Sequence, residues 1–512
     1  MPSLRAALCL ALTLTPALAH AETIRVTPSD DYTAIERAQA GDEVIIAPGT
    51  YRFRVFLSQI GTADAPIVIR AEDPSDPPVW DLSGMRAEDA PGSSTRGDRG
   101  RGCWQITGAH YQISGLVIRG CSTSSGNAAG IRTIDTEGVV VRDVVFDGNE
   151  VGFSGTGEDT LVEHCELTDN GVRSSPPQHS TYIYGGSITF RHNYIHDSAG
   201  GQNLHIRARR AVVEYNWIAR ASNYEADLMT GPDADQELIF RGNVLLTNPS
   251  PENSGQVFVL YDDGGGSDVR MTLRLLWNTI IVQGGGDPAL VSVRNDTLAA
   301  ATVELSNNVV VGTTQLVRLR DEGASNWTVT GGSNHLPSGA DEAGLTGNLL
   351  GDDPGFADAA ALDFRPAPGS ALIGLADLGV AGAPDREYAE DETVTRRFRF
   401  RLAAADVGAL ESGAPGDAFG PYDEPTPPTP GEDAGPADRD AGPRPPAPDA
   451  SASPDGGPGG EPDGGCGCRV GAGSTHPGWL FALIPLLVLL GLTRVGSGPR
   501  RGGSRRSRRR QA

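Results

Sequence analysis

The sequence predicts an all-β solenoid of stacked coils, and two observations predict it. First, from Trp104 to Thr314 one phrase keeps returning: two or three β-branched residues, a small residue or Asn, more apolar residues, then a turn. It reads ISGLVIRG from Ile113, VRDVVFDGN from Val141, VEHCELTDN from Val162, FRHNYIHDS from Phe190, VEYNWIARA from Val213, FRGNVLLTN from Phe240, LLWNTIIVQ from Leu275 and LSNNVVVGT from Leu305. Aligned, these phrases place Leu116, Val144, Cys165, Asn193, Asn216, Asn243, Asn278 and Asn308 at one register, separated by 28, 21, 28, 23, 27, 35 and 30 residues. A short fixed strand phrase at elastic spacing is what coils with variable turns produce. One coil leaves its strand edges unpaired, so only the array persists. Second, that register carries consecutive Asn from Asn193 to Asn308. Stacked at a bend, Asn amides hydrogen-bond along the array and satisfy groups that burial would leave bare. Cys165, at the same register, is expected in the core.

Taken in order, the chain begins with a secretory signal over 1–21: Arg5, the apolar run Ala6 to Leu14, then the small-x-small triplet Ala19-His20-Ala21. The apolar run is too short to span about 30 Å of hydrocarbon, so cleavage before Glu22 is expected. The solenoid occupies 22–412. Residues 413–465 are a disordered linker: from Ser412 to Gly465 eleven Asp and Glu face only Arg439 and Arg444, with proline throughout, and such a stretch cannot bury enough apolar surface to offset ordering. Over 466–512 come Cys466-Gly467-Cys468, the uncharged run Trp479 to Leu492 and eight arginines from Arg494 to Arg510. This order predicts a short C-terminal transmembrane helix with its basic end in the cytoplasm and the body outside.

The net charge of −23 understates how acidic the body is, because the basic tail offsets it. A nucleic-acid partner needs a basic patch on the folded part, and none is visible. The expected partners are an extracellular polysaccharide and, through the C-terminal segment, a membrane, with the protein acting as a monomer. Of six cysteines, Cys9 leaves with the signal and Cys466 and Cys468 belong to the tail. Cys103, Cys121 and Cys165 remain in an oxidising compartment; a Cys103–Cys121 disulfide is expected, with Cys165 a buried thiol.

The repeats resemble the right-handed parallel β-helix superfamily that includes pectate lyases and the chondroitinase B and alginate lyase group. Ala38-Gln39-Ala40-Gly41-Asp42, Val44 to Tyr51 and Gly61 to Ile67 are similar to that group's first coil. Asp363-Phe364-Arg365-Pro366 through Gly369, with Asp406-Val407-Gly408-Ala409, are similar to the last coil of many such proteins. The matches cover roughly Glu22 to Ser412. The tail, with cysteine, apolar span and arginines in that order, resembles the C-terminal sorting tails common in myxobacteria, where the tail is processed and the body kept at the cell surface.

A β-helix is a scaffold, so function is sought on one outward face. Eleven and nine residues before the ladder register stand Thr133 and Asp135, Ser154 and Thr156, Tyr182 and Tyr184, then His205 and Arg207. Residues two apart point the same way in a strand, so these pairs predict two adjacent columns. His179, Asn203, Tyr224 and Tyr261 enrich the neighbourhood as substrate contacts. Glu225, Asp227, Asp262 and Asp263 offer the hard oxygen ligands that Ca²⁺ takes, although no calcium loop of fixed spacing is present.

The segment Gly201-Gln202-Asn203-Leu204-His205-Ile206-Arg207-Ala208 is similar to a Gly-His-x-Ile-Lys-Ser-Arg-Ala stretch of lyase-like β-helix proteins, with His205 where that stretch has lysine. The chemistry expected is β-elimination at a uronate sugar: Arg207 clamps the carboxylate, His205 removes the ring proton and Tyr182 or Tyr224 protonates the departing oxygen. Two other readings stand beside it. The same aromatics serve a non-catalytic, adhesive glycan-binding face, and a polygalacturonase-type hydrolase would need paired carboxylates, for which Asp227 with Asp262 is the conceivable pair.

Overall fold

The computed structural model describes residues 21–92, 101–172, 178–250, 253–262, 268–293, 298–319, 326–342, 344–389, 396–402, 404–413 and 416–423. The signal segment through His20, the linker from residue 424 and the Cys466 to Ala512 tail lie outside the described residues. Among the described residues no helix is long and apolar enough to cross a membrane.

Each coil gives one short strand to each of three parallel sheets, stacked as in a β-helix, of twelve, ten and twelve strands among the described residues. One coil runs through Thr181–Tyr184, Ser187–Arg191 and Tyr194–His196; the next runs through Leu204–Arg207, Arg210–Glu214 and Trp217–Ala219 and pairs with it strand for strand. Alternation fills the interior: Ile183, Ile188, Phe190 and Ile195 from the first coil lie beneath Ile206, Ala211, Val213 and Ile218 from the second, all buried. Alternate residues of the same strands therefore face outward, which fixes the face on which the candidate site lies.

The Asn ladder forms at the bend between the longer strands and the three-residue strands. Asn193 Nδ2 donates to Asn216 Oδ1 at 2.9 Å, and the chain of amides continues through Asn243, Asn278, Asn308, Asn334 and Asn348 at 3.0 Å each. Each side chain also accepts from the backbone N–H of the ladder residue one coil earlier, as Asn243 Oδ1 does from Asn216 N at 3.0 Å. Asn334 and Asn348 extend the ladder beyond the repeats recognisable in sequence. The residue just before each rung is left-handed, for example His192 (φ 57°), Tyr215 (φ 57°), Trp277 (φ 50°) and Asn307 (φ 60°). That conformation costs about 1–2 kcal/mol per non-glycine residue, and the rung's hydrogen bonds offset it at every coil.

Cys103 and Cys121 form a disulfide, and Cys165 is a buried free thiol whose pKa burial pushes up to about 12. A disulfide is consistent with an extracellular protein. After the coils the chain returns along the left-handed turn residues. A hairpin of Arg386–Ala389 and Arg397–Phe400 lays Phe398 on His192, ring centroids 4.4 Å apart. The Tyr215 hydroxyl donates to Asp385 at 2.9 Å and Trp277 Nε1 to the Ala404 carbonyl at 3.1 Å. Past Ser412 the contact continues, with Phe419 bridging to Phe398 and the Tyr422 hydroxyl donating to Asp143 at 2.9 Å.

Candidate functional site

The site lies on the outer face of the ten-stranded sheet. Ser154 pairs with Tyr182 and His205 with Asp227, while Tyr184 pairs with Arg207 and therefore Tyr182 stands opposite His205. The two predicted columns thus exist from Ser154 onward. One coil earlier the register differs. Arg132, not Thr133, pairs with Ser154, and Thr133 is buried opposite Gly155. An irregularity between Thr133 and Thr136, where Asp135 is left-handed (φ 49°), inserts the extra residue that defeats a fixed count back from the ladder. Arg132 is accordingly a member of the face that counting missed.

His205 is the centre of the arrangement. Its Nδ1 lies 2.9 Å from Asp227 Oδ2, and both side chains are buried. A carboxylate only accepts, so an imidazole in the neutral form would carry its proton on Nδ1 and present a lone pair at Nε2. Nε2 is buried and makes no hydrogen bond among the described residues; neither does Asp227 Oδ1. Buried polar atoms are rarely left so in a resting fold, and several at one place mark where water or a ligand group is accommodated.

Two rings stack on His205: His179 at 4.5 Å and 17°, and Tyr182 at 4.6 Å and 18°. His179 and Tyr182 are themselves only 6.1 Å apart, too close for the pair to sandwich His205. The three rings form a compact cluster. Burial, and next the neighbouring His205 ring, holds the His179 pKa down to about 3, so His179 is an uncharged packing partner at neutral pH.

Arg207 is held from two sides. Its Nε donates to the Thr230 carbonyl at 2.8 Å, and its guanidinium lies 5.1 Å from the centroid of the Tyr184 ring. Tyr184 is 40% exposed, which makes it an accessible aromatic surface of this face. Tyr261, partly exposed, continues this column opposite Met229 two coils on.

The other predicted residues lie elsewhere. Asn203 is fully buried at a bend, where its amide donates to the Ala219 carbonyl at 2.8 Å and to Glu225 Oε2 at 2.7 Å. Glu225 is likewise fully buried, accepts from the Ala221 N–H at 3.1 Å, and burial raises its pKa to about 8. Tyr224 is 6% exposed, so its ring offers no platform to a sugar. Asp262 accepts from the Thr230 hydroxyl at 2.9 Å, and Asp263 lies outside the described residues.

Of the expected Ca²⁺ ligands, the three among the described residues are not gathered. Asp227 serves His205, Asp262 serves Thr230, Glu225 is locked in a bend, and among the described residues no three His, Cys, Asp or Glu side chains converge as a metal requires. As placed, Glu225, Asp227 and Asp262 are each held by partners within the fold and do not converge on one ion.

A residue type missing from the chain is equally informative. All 42 basic side chains are arginine, and lysine does not occur in the 512 residues. A lysine base is therefore not available anywhere in this protein, and the imidazole of His205 occupies the corresponding place in the motif.

No family model matches the chain, and no curated protein matches it. Solved structures do. An alginate lyase from Paenibacillus sp. str. FPU-7 is 17% identical, with 60% of this chain and 97% of that one covered and a TM-score of 0.37. The pectate lyase Pel9A is 13% identical over 77% of this chain and 96% of that one, TM-score 0.45. The PL6 family alginate lyase AlyGC, as a mutant, is 16% identical over 66% of this chain, TM-score 0.40, and the match spans 51% of that enzyme.

Proposed function

We propose that this protein acts on an extracellular uronate polymer by β-elimination, with His205 as base. The observation that carries the reading is the Asp227–His205 pair. Asp227 fixes Nδ1 as the protonated nitrogen, which leaves Nε2 to accept the proton α to the sugar carboxylate. Arg207, backed by Tyr184 and the Thr230 carbonyl, neutralises the carboxylate whose charge grows as that proton leaves. The Tyr182 hydroxyl protonates the departing glycosidic oxygen. The base gains one proton, the ring gains a double bond, and the glycosidic C–O bond breaks. Because Tyr182 and His205 stand in one column of one sheet, base and acid approach the sugar from the same side, and the reading is a syn elimination.

The arrangement disfavours the hydrolase alternative. Inverting or retaining hydrolysis requires two carboxyl groups with divided roles, whereas Asp227 is engaged by His205 and Asp262 by Thr230. Product analysis by mass spectrometry separates the readings. Incubation with polygalacturonate, alginate and glycosaminoglycans is expected to give oligomers with unsaturated, dehydrated ends, lost in His205→Ala. Hydrated ends would sink the elimination reading in favour of hydrolysis. Intact polymer that is nonetheless retained by the protein would leave an adhesive face.

A further inference from the structure

We infer that the groove at the Tyr184 end of this face is a subsite for a sugar bearing an ammonium group, a second site distinct from the His205 centre. The groove encloses about 860 Å³ and has the Tyr184 ring as one wall, with Gly157, Gly185 and Gly186 along its margin. It therefore offers an accessible aromatic surface beside a space wide enough for a sugar ring, and the backbone there carries no side chain to fill it.

Charge selects the occupant. Asp135, Glu137, Glu158, Asp159 and Asp233 line the groove with Arg209, which is paired to Glu158 at 2.8 Å, and Arg207 lies over the Tyr184 ring at 5.1 Å. Five carboxylates less two guanidinium groups leave three negative charges, which repel a uronate and attract a cation. Among the described residues no three of these carboxylates converge on one point, so the charge is spread along a wall instead of being focused on a metal ion. A spread of acceptors beside an aromatic ring suits a ring-shaped ligand with several hydrogen-bond donors: a sugar that stacks on Tyr184 and turns its ammonium and hydroxyl hydrogens to the carboxylates.

Position ties the groove to the catalytic face. Tyr184 and Arg207 stand two residues along their strands from Tyr182 and His205, about 6.6 Å at strand rise. A polymer whose uronate lies at Arg207 would bring its neighbouring sugar to Tyr184. The polymer that fits both places carries acidic and aminated sugars in succession.

Titration calorimetry of the full chain with a glucosamine tetramer, its N-acetylated counterpart and a galacturonate tetramer tests the site. The glucosamine tetramer is expected to bind, and N-acetylation, which removes the charge, to weaken binding about tenfold. Asp159→Asn with Asp233→Asn should cost a similar factor, and Tyr184→Ala should weaken both amino and N-acetylated ligands. A control pair, Asp64→Asn with Asp76→Asn, removes equal charge from exposed positions in an early coil and should change little. Equal loss in the control pair, equal affinity for the N-acetylated tetramer, or no binding at all would overturn the subsite. These outcomes are independent of the elimination chemistry. A protein that never forms an unsaturated uronate leaves the groove's binding intact, and loss of groove binding leaves the His205 chemistry to stand on its own product assay.

Discussion

Two columns of polar residues run along this solenoid, and they are built on opposite rules. At the bend the same residue recurs from Asn193 to Asn348, and each amide both donates to and accepts from its neighbours. On the outer face the residue changes at every coil, from Arg132 through Ser154, Tyr182 and His205 to Asp227, and polar atoms such as His205 Nε2 and Asp227 Oδ1 are left without a partner among the described residues. Repetition with full satisfaction is how a solenoid holds its turns. Variation with buried atoms left open is what a face that takes a ligand would need, and it is why the candidate site is sought there.

The contrast predicts different losses in the two columns. His205→Ala should cut turnover by about 10²–10⁴-fold, the range for a positioned general base, with little change in the unfolding midpoint; a variant that keeps its turnover would remove His205 from the chemistry. Asn243→Ala should do the reverse. It strips partners from Asn216, Asn278 and the Val213 carbonyl, so a loss of about 3 kcal/mol in urea unfolding is expected from stranded buried groups, with turnover per folded molecule retained. Arg207→Lys keeps the charge and loses the planar fork, and KM for a uronate polymer should rise about tenfold with a smaller change in kcat. An unchanged KM would place the carboxylate elsewhere.

The smallest effect is on pH. Burial holds His179 at about 3 and His164 at about 4, both below the ordinary 6.5. The unfolded chain therefore takes up these protons first, and the stability involved is present above about pH 6.5 and lost as pH falls toward the folded values. Glu225 runs the other way: burial raises it from 4.5 to about 8, so its contribution is present below about pH 4.5 and lost as pH rises through 8. Thermal unfolding should thus be most resistant near about pH 6.5, and Glu225→Gln should flatten the alkaline side and steepen the acid side above about pH 4.5. A wild-type alkaline limb already flat would contradict the assignment.

Much of this was legible in the chain itself. The ladder from Asn193 to Asn308 and the columns through Tyr182 and His205 follow from strand period and a fixed register, which sequence carries directly. Asn334 and Asn348 escaped because the strand phrase around them fades and the coil between them shrinks to 14 residues. Arg132 escaped because one inserted residue turned the count inside out, as any one-residue slip does when side chains alternate. The burial of Glu225, Asn203 and Tyr224 was not legible for a different reason: they fall in a bend whose direction no periodicity encodes, and the bend turns them into the interior. The missing lysine needed no structure at all, only a search for a residue that is absent.

The claim that the face and not the ladder carries the function is tested most directly by one paired assay. Release of unsaturated uronate from polygalacturonate, alginate and glycosaminoglycans, which alternate uronate with amino sugar, is followed by its ultraviolet absorbance for wild type, His205→Ala and Asn243→Ala, each normalised to folded protein. The account predicts signal from wild type and from Asn243→Ala, and none above background from His205→Ala. Equal signal from wild type and His205→Ala, or loss of signal in Asn243→Ala at full folding, would contradict it.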